Sequence, residues 1–443
     1  MIKSNKLNKG QEYWNKAKKI IPGGTLLFSK NPDLYLPKRW PAYFSKAKKC
    51  HIWDLDNKKY LDFATMGVGT NILGYANKII NRKVIQTINK SNIATLNSIE
   101  EIELSKLLLK IEPWAKMVRY TKTGGEANLV ALRAARFYTK KSKIAFCGYH
   151  GWHDWYLSSI LTKKSSLDQH LMRGLRKDGI PKNLKDTSFS FDFNNIEQFK
   201  KIIKKKDIGA VIMEVSRLKK TSRKFLLEIR KLTKKNNICL IFDECTSGFR
   251  ECYGGLHKKY NINPDIIVLG KSIANGYPLC AIVGVKKYMT QLEKSFVSST
   301  FWTDRIGFVA AIETLKEMKK QKSWLKITAT GKKIKKIWKN KAEKYKLDIT
   351  INGLDALPVL KFNNLEEYEI KTYLTQEFLK KKFLTSTYIY PCIYHDKTIL
   401  NKYSIILEKI FKKISICIKN NYKISKLLDG PICKIGLRNP DEF

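Results

Sequence analysis

No run of apolar residues in this chain approaches the roughly 18 that a membrane-spanning helix requires. The stretch Met1 to Trp14 is polar and lysine-bearing, with no apolar block behind it. Neither a secretory signal nor a membrane anchor is read there, and the cytoplasm is the expected location. Disulfide and zinc frameworks are missing as well. Nine cysteines, an odd number, are scattered over 443 residues without a C-x-x-C pair or a Cys/His cluster. Reduced thiols in a reducing compartment, and no metal site, are the expectation. No internal repeat, proline-rich linker or low-complexity tail breaks the sequence. What is scarcest is negative charge: 39 Asp and Glu stand against 85 Lys and Arg, for a formal net charge of +46. Such a field attracts nucleic acid or anionic membrane and steers small anionic substrates. The lysines, however, are spread along the whole chain, as at Lys204 to Lys206 and Lys332 to Lys341. They do not gather in one Arg-rich tract or alternate with stacking aromatics. They read as solvent faces, and a nucleic-acid partner is not expected.

What is present is an ordinary globular composition, 43% hydrophobic and 11% aromatic, in a chain long enough for about two to three domains. Lys9 to Ile21 carries apolar residues at helical spacing and stops at Pro22-Gly23-Gly24, a loop signal. His51 to Asp62 reads as a hairpin, two alternating runs around an Asp-Asn turn. From about residue 75 to 315, helices alternate with short, continuously apolar strands. The candidate strands are Met117–Thr121, Lys143–Cys147, Ala210–Met213, Ile238–Asp243, Ile266–Leu269 and Ala281–Val285, with helices such as Glu126–Thr139 and Phe225–Lys235 between them. Such alternation predicts an α/β fold whose mostly parallel sheet is covered by helices on both faces. Residues 1–74 and 316–443 are assigned to a smaller α+β domain, and 75–315 to the large one.

Three segments in the large domain carry chemistry, each at the end of a predicted strand, where open α/β sheets bind ligands. Thr121-Lys122-Thr123-Gly124-Gly125-Glu126-Ala127-Asn128 runs from strand through a Thr/Gly turn into a helix. Glycines admit an anion close to the backbone, and the helix N-terminus offers free N–H groups; the same pattern also serves as a plain structural joint. Leu240 to Glu244 ends an apolar run in two carboxylates, placing Asp243 at the mouth of a buried strand. A carboxylate there needs a cation or a proton-bearing nitrogen, and helix capping or metal ligation are equally open. Ile266 to Ser272 puts Lys271 just past a strand, after Gly270. Most lysines reach solvent; one kept deprotonated in a cleft forms an imine with a carbonyl. Taken together, a phosphate cradle, a strand-end Asp and a strand-end Lys are the three contacts that pyridoxal phosphate (PLP) demands, for its phosphate, its pyridinium and its aldehyde.

Here the chain resembles a known family, the class III PLP-dependent aminotransferases, over nearly its whole length, and within it the glutamate-1-semialdehyde 2,1-aminomutase-like branch. The resemblance is carried by Ile21-Pro22-Gly23-Gly24, His51 to Asp56, Thr123 to Asn128, Tyr149-His150-Gly151, Met213-Glu214, Leu240 to Arg250 and Leu269 to Ser272. The segment Ser299-Thr300-Phe301 resembles the family's Gly-Thr strand that reaches the partner subunit's phosphate. The resemblance implies PLP fold type I, with a seven-stranded-type sheet, and a homodimer. It implies Lys271 as the Schiff-base lysine, Asp243 as the pyridinium partner, and Tyr149 stacked on the ring. Gly124 and Gly125 would form the phosphate loop, with Thr300 contacting it across a dimer interface, and His150 and Cys245 among the cofactor-binding residues. The implied activity is transfer of an amino group from a small-molecule donor to a carbonyl acceptor. An intramolecular aminomutase and a non-catalytic or nucleic-acid-binding use of the fold are the alternatives. There are departures. Gly125 stands where many relatives have Ser or Thr, removing one hydroxyl, and Cys245 where valine is usual. Val215, Arg217 and the run Phe301-Trp302-Thr303-Asp304-Arg305 also differ. Trp152, Trp155, Trp302 and Arg305 lie near the motifs and are read either as substrate-pocket lining or as packing.

Overall fold

The computed structural model of the chain describes residues 8–172, 174–364 and 366–436; residues 1–7 of the polar opening stretch lie outside them. Two compact units are present, one formed by Lys78–Leu325 and the other by Met1–Asn77 with Lys326–Phe443. In the first, seven strands form one sheet: β1 (Met117–Thr121), β2 (Lys143–Cys147), β3 (Ser188–Ser190), β4 (Ile208–Glu214), β5 (Cys239–Glu244), β6 (Ile266–Leu269) and β7 (Cys280–Gly284). Their order is β1-β7-β6-β5-β4-β2-β3. All neighbours pair in parallel except β7, which is antiparallel to both β6 and β1. Two reversals cancel, so β1 points the same way as β6 and its C-terminal end, Thr121, lies on the same edge as theirs.

The central strands are buried along their full length, which is why they read as unbroken apolar runs and not as alternations. Helix Gly124–Thr139 lays an alanine-rich face, Ala127, Ala131, Ala134 and Ala135, on one side of them. That face packs with Ile212, Ile241, Val268 and Ile282 in one cluster. Small side chains let the helix approach the sheet closely, and this fixes where its N-terminus sits relative to the strand ends. The sheet is the mostly parallel one anticipated, with β3 as an addition. Ser-Phe-Ser is too short and too polar to announce itself as a strand, and it survives at the sheet edge through its pairing with β2.

In the second unit the hairpin His51–Asp54 and Lys59–Asp62 is built on Asp54. Its carboxylate accepts the Asp56 and Lys58 backbone N–H groups at 2.9 and 2.8 Å, and Asn57 takes the left-handed conformation at φ 57°. Phe44–Lys48 adds antiparallel to one edge and Phe383–Leu384 parallel to the other. Helices Glu367–Lys380 and Lys397–Lys419 meet through the stacked rings of Phe378 and Tyr403, 4.8 Å apart. Among the described residues no helix is long and apolar enough to cross a membrane.

Candidate active site

The C-terminal edge of the parallel strands gathers most of the residues singled out above. Asp243, 4% exposed, stands near the end of β5. Its Oδ2 accepts the Asn128 amide at 2.8 Å and lies 2.8 Å from His150 Nδ1; its Oδ1 accepts the Cys245 backbone N–H at 3.0 Å. Burial alone would raise this carboxyl, but His150, the Cys245 amide and Asn128 together hold it below the usual carboxylate range. It is thus a fixed negative charge in a dry setting. His150, buried behind it, has its other ring nitrogen 3.2 Å from the Cys147 carbonyl. It therefore touches the carboxylate and orients it.

Lys271 follows β6 through Gly270 and is held at φ 25°, a conformation a non-glycine residue adopts at a cost of roughly 1–3 kcal/mol. Its Nζ donates to the Thr246 hydroxyl at 2.7 Å. Cys245 ties the segments together. Its Sγ lies 2.9 Å from where a Cβ on Gly124 would stand and 3.0 Å from where one on Gly270 would. A hydrogen bond to Cys280, with burial, pushes its thiol well above the ordinary range, so it packs as a small polarizable group and not as a nucleophile.

Gly124 and Gly125 open the 16-residue helix Gly124–Thr139, started by a capping box. Thr123 Oγ1 accepts the Glu126 N–H at 3.4 Å, and Glu126 Oε2 accepts the Thr123 N–H at 2.8 Å and the Lys122 N–H at 3.1 Å. Among the described residues the N–H groups of Gly124 and Gly125 have no acceptor, leaving two donors at the positive end of the helix. Tyr149 is placed by Glu214, whose Oε2 accepts its N–H at 3.0 Å. The Arg217 guanidinium lies 5.4 Å from the Tyr149 ring centre and 3.2 Å from Glu214 Oε1. An unengaged N–H pair, a dry ionised carboxylate and a lysine amine, linked through Cys245, fit the three functional groups of PLP.

Thr300 stands apart from this group. It is exposed, and Thr300–Thr303 forms a 3-10 turn where the resemblance implied a strand. The Trp302 N–H reaches the Ser299 carbonyl at 3.2 Å and Thr303 Oγ1 the Thr300 carbonyl at 2.9 Å, which closes the turn. Arg305 is committed to Glu100 at 2.6 and 3.2 Å, and Trp155 belongs to the hydrophobic core. Trp302 donates to Glu126 at 3.3 Å, while Trp152 is 72% exposed. Asn128 and Thr246, which touch Asp243 and Lys271, are not among the candidate residues read from the sequence. Asn128 had a signal, an amide on an otherwise alanine-rich buried helix face; Thr246 had none.

A family model described as "Aminotransferase class-III" matches residues 37–392. A 3-aminobutyryl-CoA aminotransferase of Cloacimonas acidaminovorans is 31% identical over 388 residues, covering 85% of this chain and 89% of that one. A glutamate-1-semialdehyde 2,1-aminomutase of Nitrosopumilus maritimus is 38% identical over 319 residues, 70% of this chain and 73% of that one. Among solved structures, the PLP internal aldimine form of the FumI protein of Sphingopyxis sp. MTA144 has a TM-score of 0.83 at 21% identity, over 93% of this chain and 97% of that one. That likeness shows a shared fold.

Proposed function

The chain belongs to the class III aminotransferase family of PLP-dependent enzymes, and from that premise we propose that it moves an amino group from an amine or amino acid to a carbonyl compound, with Lys271 and Asp243 as its catalytic residues. The observation that carries this reading is the meeting of three strand-end segments around Cys245, with Gly124 on one side, Gly270 and Lys271 on another, and Asp243 two residues behind. When bound, PLP supplies an aldehyde that receives the amino group and a protonated ring that draws off electrons. The protein supplies the rest. Asp243, kept ionised, presents a negative charge to the ring nitrogen and so keeps a proton there. The Gly124 and Gly125 N–H groups take the phosphate, Tyr149 and Cys245 flank the ring, and His150 fixes the Asp243 carboxylate. Lys271 Nζ anchors the cofactor carbonyl and moves the substrate proton, with the Thr246 hydroxyl as its resting partner. Thr300, exposed on this chain, is assigned to the phosphate of a second copy, which makes a homodimer part of the proposal. A cytoplasmic location is the last part, supported by nine free thiols.

A second reading is intramolecular exchange, supported by the 38% identity to a protein named as an aminomutase. One experiment separates the two and tests both. Holoprotein is given panels of amine donors and carbonyl acceptors, together and singly. A transaminase stalls without an external donor, whereas a mutase turns over its substrate alone. Lys271→Ala should lose both turnover and the borohydride-reducible visible band. A wild-type protein that takes up no PLP, or a variant that keeps the reducible band, would sink the assignment.

A further inference from the structure

Among the described residues Lys271 Nζ has one hydrogen-bond partner, the Thr246 hydroxyl at 2.7 Å. The nearby carboxylates are engaged elsewhere, Asp243 with His150 and Glu214 with Arg217. The hydroxyl is itself firmly placed. Thr246 is buried, and its carbonyl accepts from the side chain of the buried Arg250. The loop around it is closed by the Gly248 N–H on the Glu244 carbonyl at 2.8 Å and by the Cys245 N–H on Asp243. The backbone of the lysine is tied to the same loop, because the buried Ser272 donates its hydroxyl to the Gly248 carbonyl at 2.8 Å. Both ends of the contact therefore hang on one frame, built on the neighbouring strands β5 and β6. Only the lysine side chain between them has freedom, and ordering it costs about 2 kcal/mol of rotamer entropy. A hydrogen bond contributes about 1 kcal/mol, and about 1.5–3 kcal/mol when one partner is charged. The two nearly cancel, so the hydroxyl holds Nζ in one place without trapping it. The kind of partner matters too. Nζ donates to Oγ1, which spends an N–H and leaves the nitrogen lone pair free. A carboxylate in that place would favour the ammonium form, which has no lone pair.

We infer that Thr246 is the positioning residue for Lys271, holding Nζ with its lone pair available for attack on the cofactor aldehyde. The inference rests on the cofactor reading proposed above. In that step the lone pair forms a bond to the aldehyde carbon, the carbonyl oxygen leaves as water with the two amine protons, and a C=N bond remains. Without the hydroxyl the side chain samples other rotamers, and the nitrogen stands beside the carbon less often. Loss of the hydroxyl therefore slows bond formation and leaves the non-covalent hold on the cofactor intact.

The test separates binding from bond formation. Protein stripped of cofactor is mixed rapidly with PLP, and the rise of the borohydride-reducible visible band is timed at PLP concentrations high enough that the rate no longer depends on them. Pyridoxamine 5'-phosphate, which has no aldehyde, is titrated alongside. Three chains are compared: wild type, Thr246→Val, which keeps the branched shape and loses the hydroxyl, and Thr246→Ser, which keeps the hydroxyl. Thr246→Val should form the band roughly ten- to a hundredfold more slowly, the usual loss of a hydrogen bond to a charged group. Thr246→Ser should stay close to the wild-type rate, and both variants should bind pyridoxamine 5'-phosphate as wild type does. That unchanged binding also shows that a variant is folded. A Thr246→Val that forms the band at the wild-type rate, a Thr246→Ser as slow as the valine variant, or a slow valine variant that loses pyridoxamine 5'-phosphate affinity to the same extent would each overturn the inference. If wild type binds neither ligand, or Lys271→Ala still forms the reducible band, the cofactor reading itself has failed, an outcome distinct from the failure of Thr246 alone.

Discussion

Replacing His257 by glutamine removes the only cation from a cluster of three ionisable groups with no solvent exposure. Glu244, the last residue of β5 and the neighbour of Asp243, has Oε1 2.8 Å from His257 Nδ1; Glu112 has Oε2 3.2 Å from His257 Nε2. The other carboxylate sites are filled by the Gly255 N–H and Trp114 Nε1–H on Glu112, at 2.8 and 3.0 Å, and by Ser247, the Leu256 N–H and the His257 N–H on Glu244. Burial would depress the imidazole, but the hydrogen bonds and charges of Glu112 and Glu244 prevail and raise it to about 9 from 6.5. At about 1.4 kcal/mol per pH unit, that displacement corresponds to roughly 3 kcal/mol of folding stability. Cutting one member from a buried ion cluster costs a similar amount, about 3–5 kcal/mol. A raised basic group stabilises the fold fully below its unfolded value, near 6.5, and its contribution disappears as the pH climbs through about 9. The urea midpoint of wild type and His257→Gln should therefore differ widely at about pH 6 and converge toward about pH 9.5. A gap that stays constant across that range, or no gap at about pH 6, would show that the cluster is not held by the histidine charge.

Further outcomes follow from the site and the charge. Asp243→Asn should retain PLP but lose about a hundredfold or more in turnover, because an amide cannot keep the ring nitrogen protonated; near-normal turnover would mean that the wrong carboxylate has been chosen. Sedimentation should show a homodimer with twofold symmetry, and an active monomer at micromolar concentration would remove Thr300 from the site. Binding of labelled DNA or RNA should be weak and collapse between about 50 and 200 mM salt, while tight, sequence-selective binding that survives there would give the +46 charge a function.

Where an element's signal is its own composition, the chain could be read directly. The runs at Lys143–Cys147 and Ile266–Leu269 are strands over those residues because burial on both faces favours an apolar stretch, and Met117–Thr121, only partly buried and interrupted by Arg119, is a strand over its expected residues as well. Boundaries slip where a local preference opposes the tertiary outcome. Gly124 and Gly125 are poor helix formers, so the reading began the helix at Glu126, yet the Thr123–Glu126 capping box starts it two residues earlier. The charge follows the same logic. On the helix Ser323–Tyr345, Ile334 and Trp338 are fully buried while Lys332, Lys333, Lys336 and Lys339 are exposed. The lysines there occupy the solvent-facing positions of an amphipathic repeat and follow its period.

The site divides along a different line. Gly124, Asp243 and Lys271 are legible because each must follow a strand, and a strand end is visible in sequence. Of the groups that set their chemistry, His150 is named only through the family resemblance, and Asn128 and Thr246 are not singled out at all. Asp243 stays ionised through His150 and Asn128, which lie 93 and 115 positions away along the chain. Lys271 rests on Thr246, 25 positions back, because β5 and β6 are neighbours in the sheet. Such partners depend on strand order, which no local pattern encodes. The Gly125 departure makes the point most sharply. Read alone it is a lost hydroxyl and a weaker phosphate site. In the fold, a Cβ at the same position would stand 2.6 Å from His153 Cε1, so the side chain that looks deleted in one segment has no room beside another. A departure at a ligand-binding turn therefore has to be judged against what the fold brings beside it before it is counted as a loss of function.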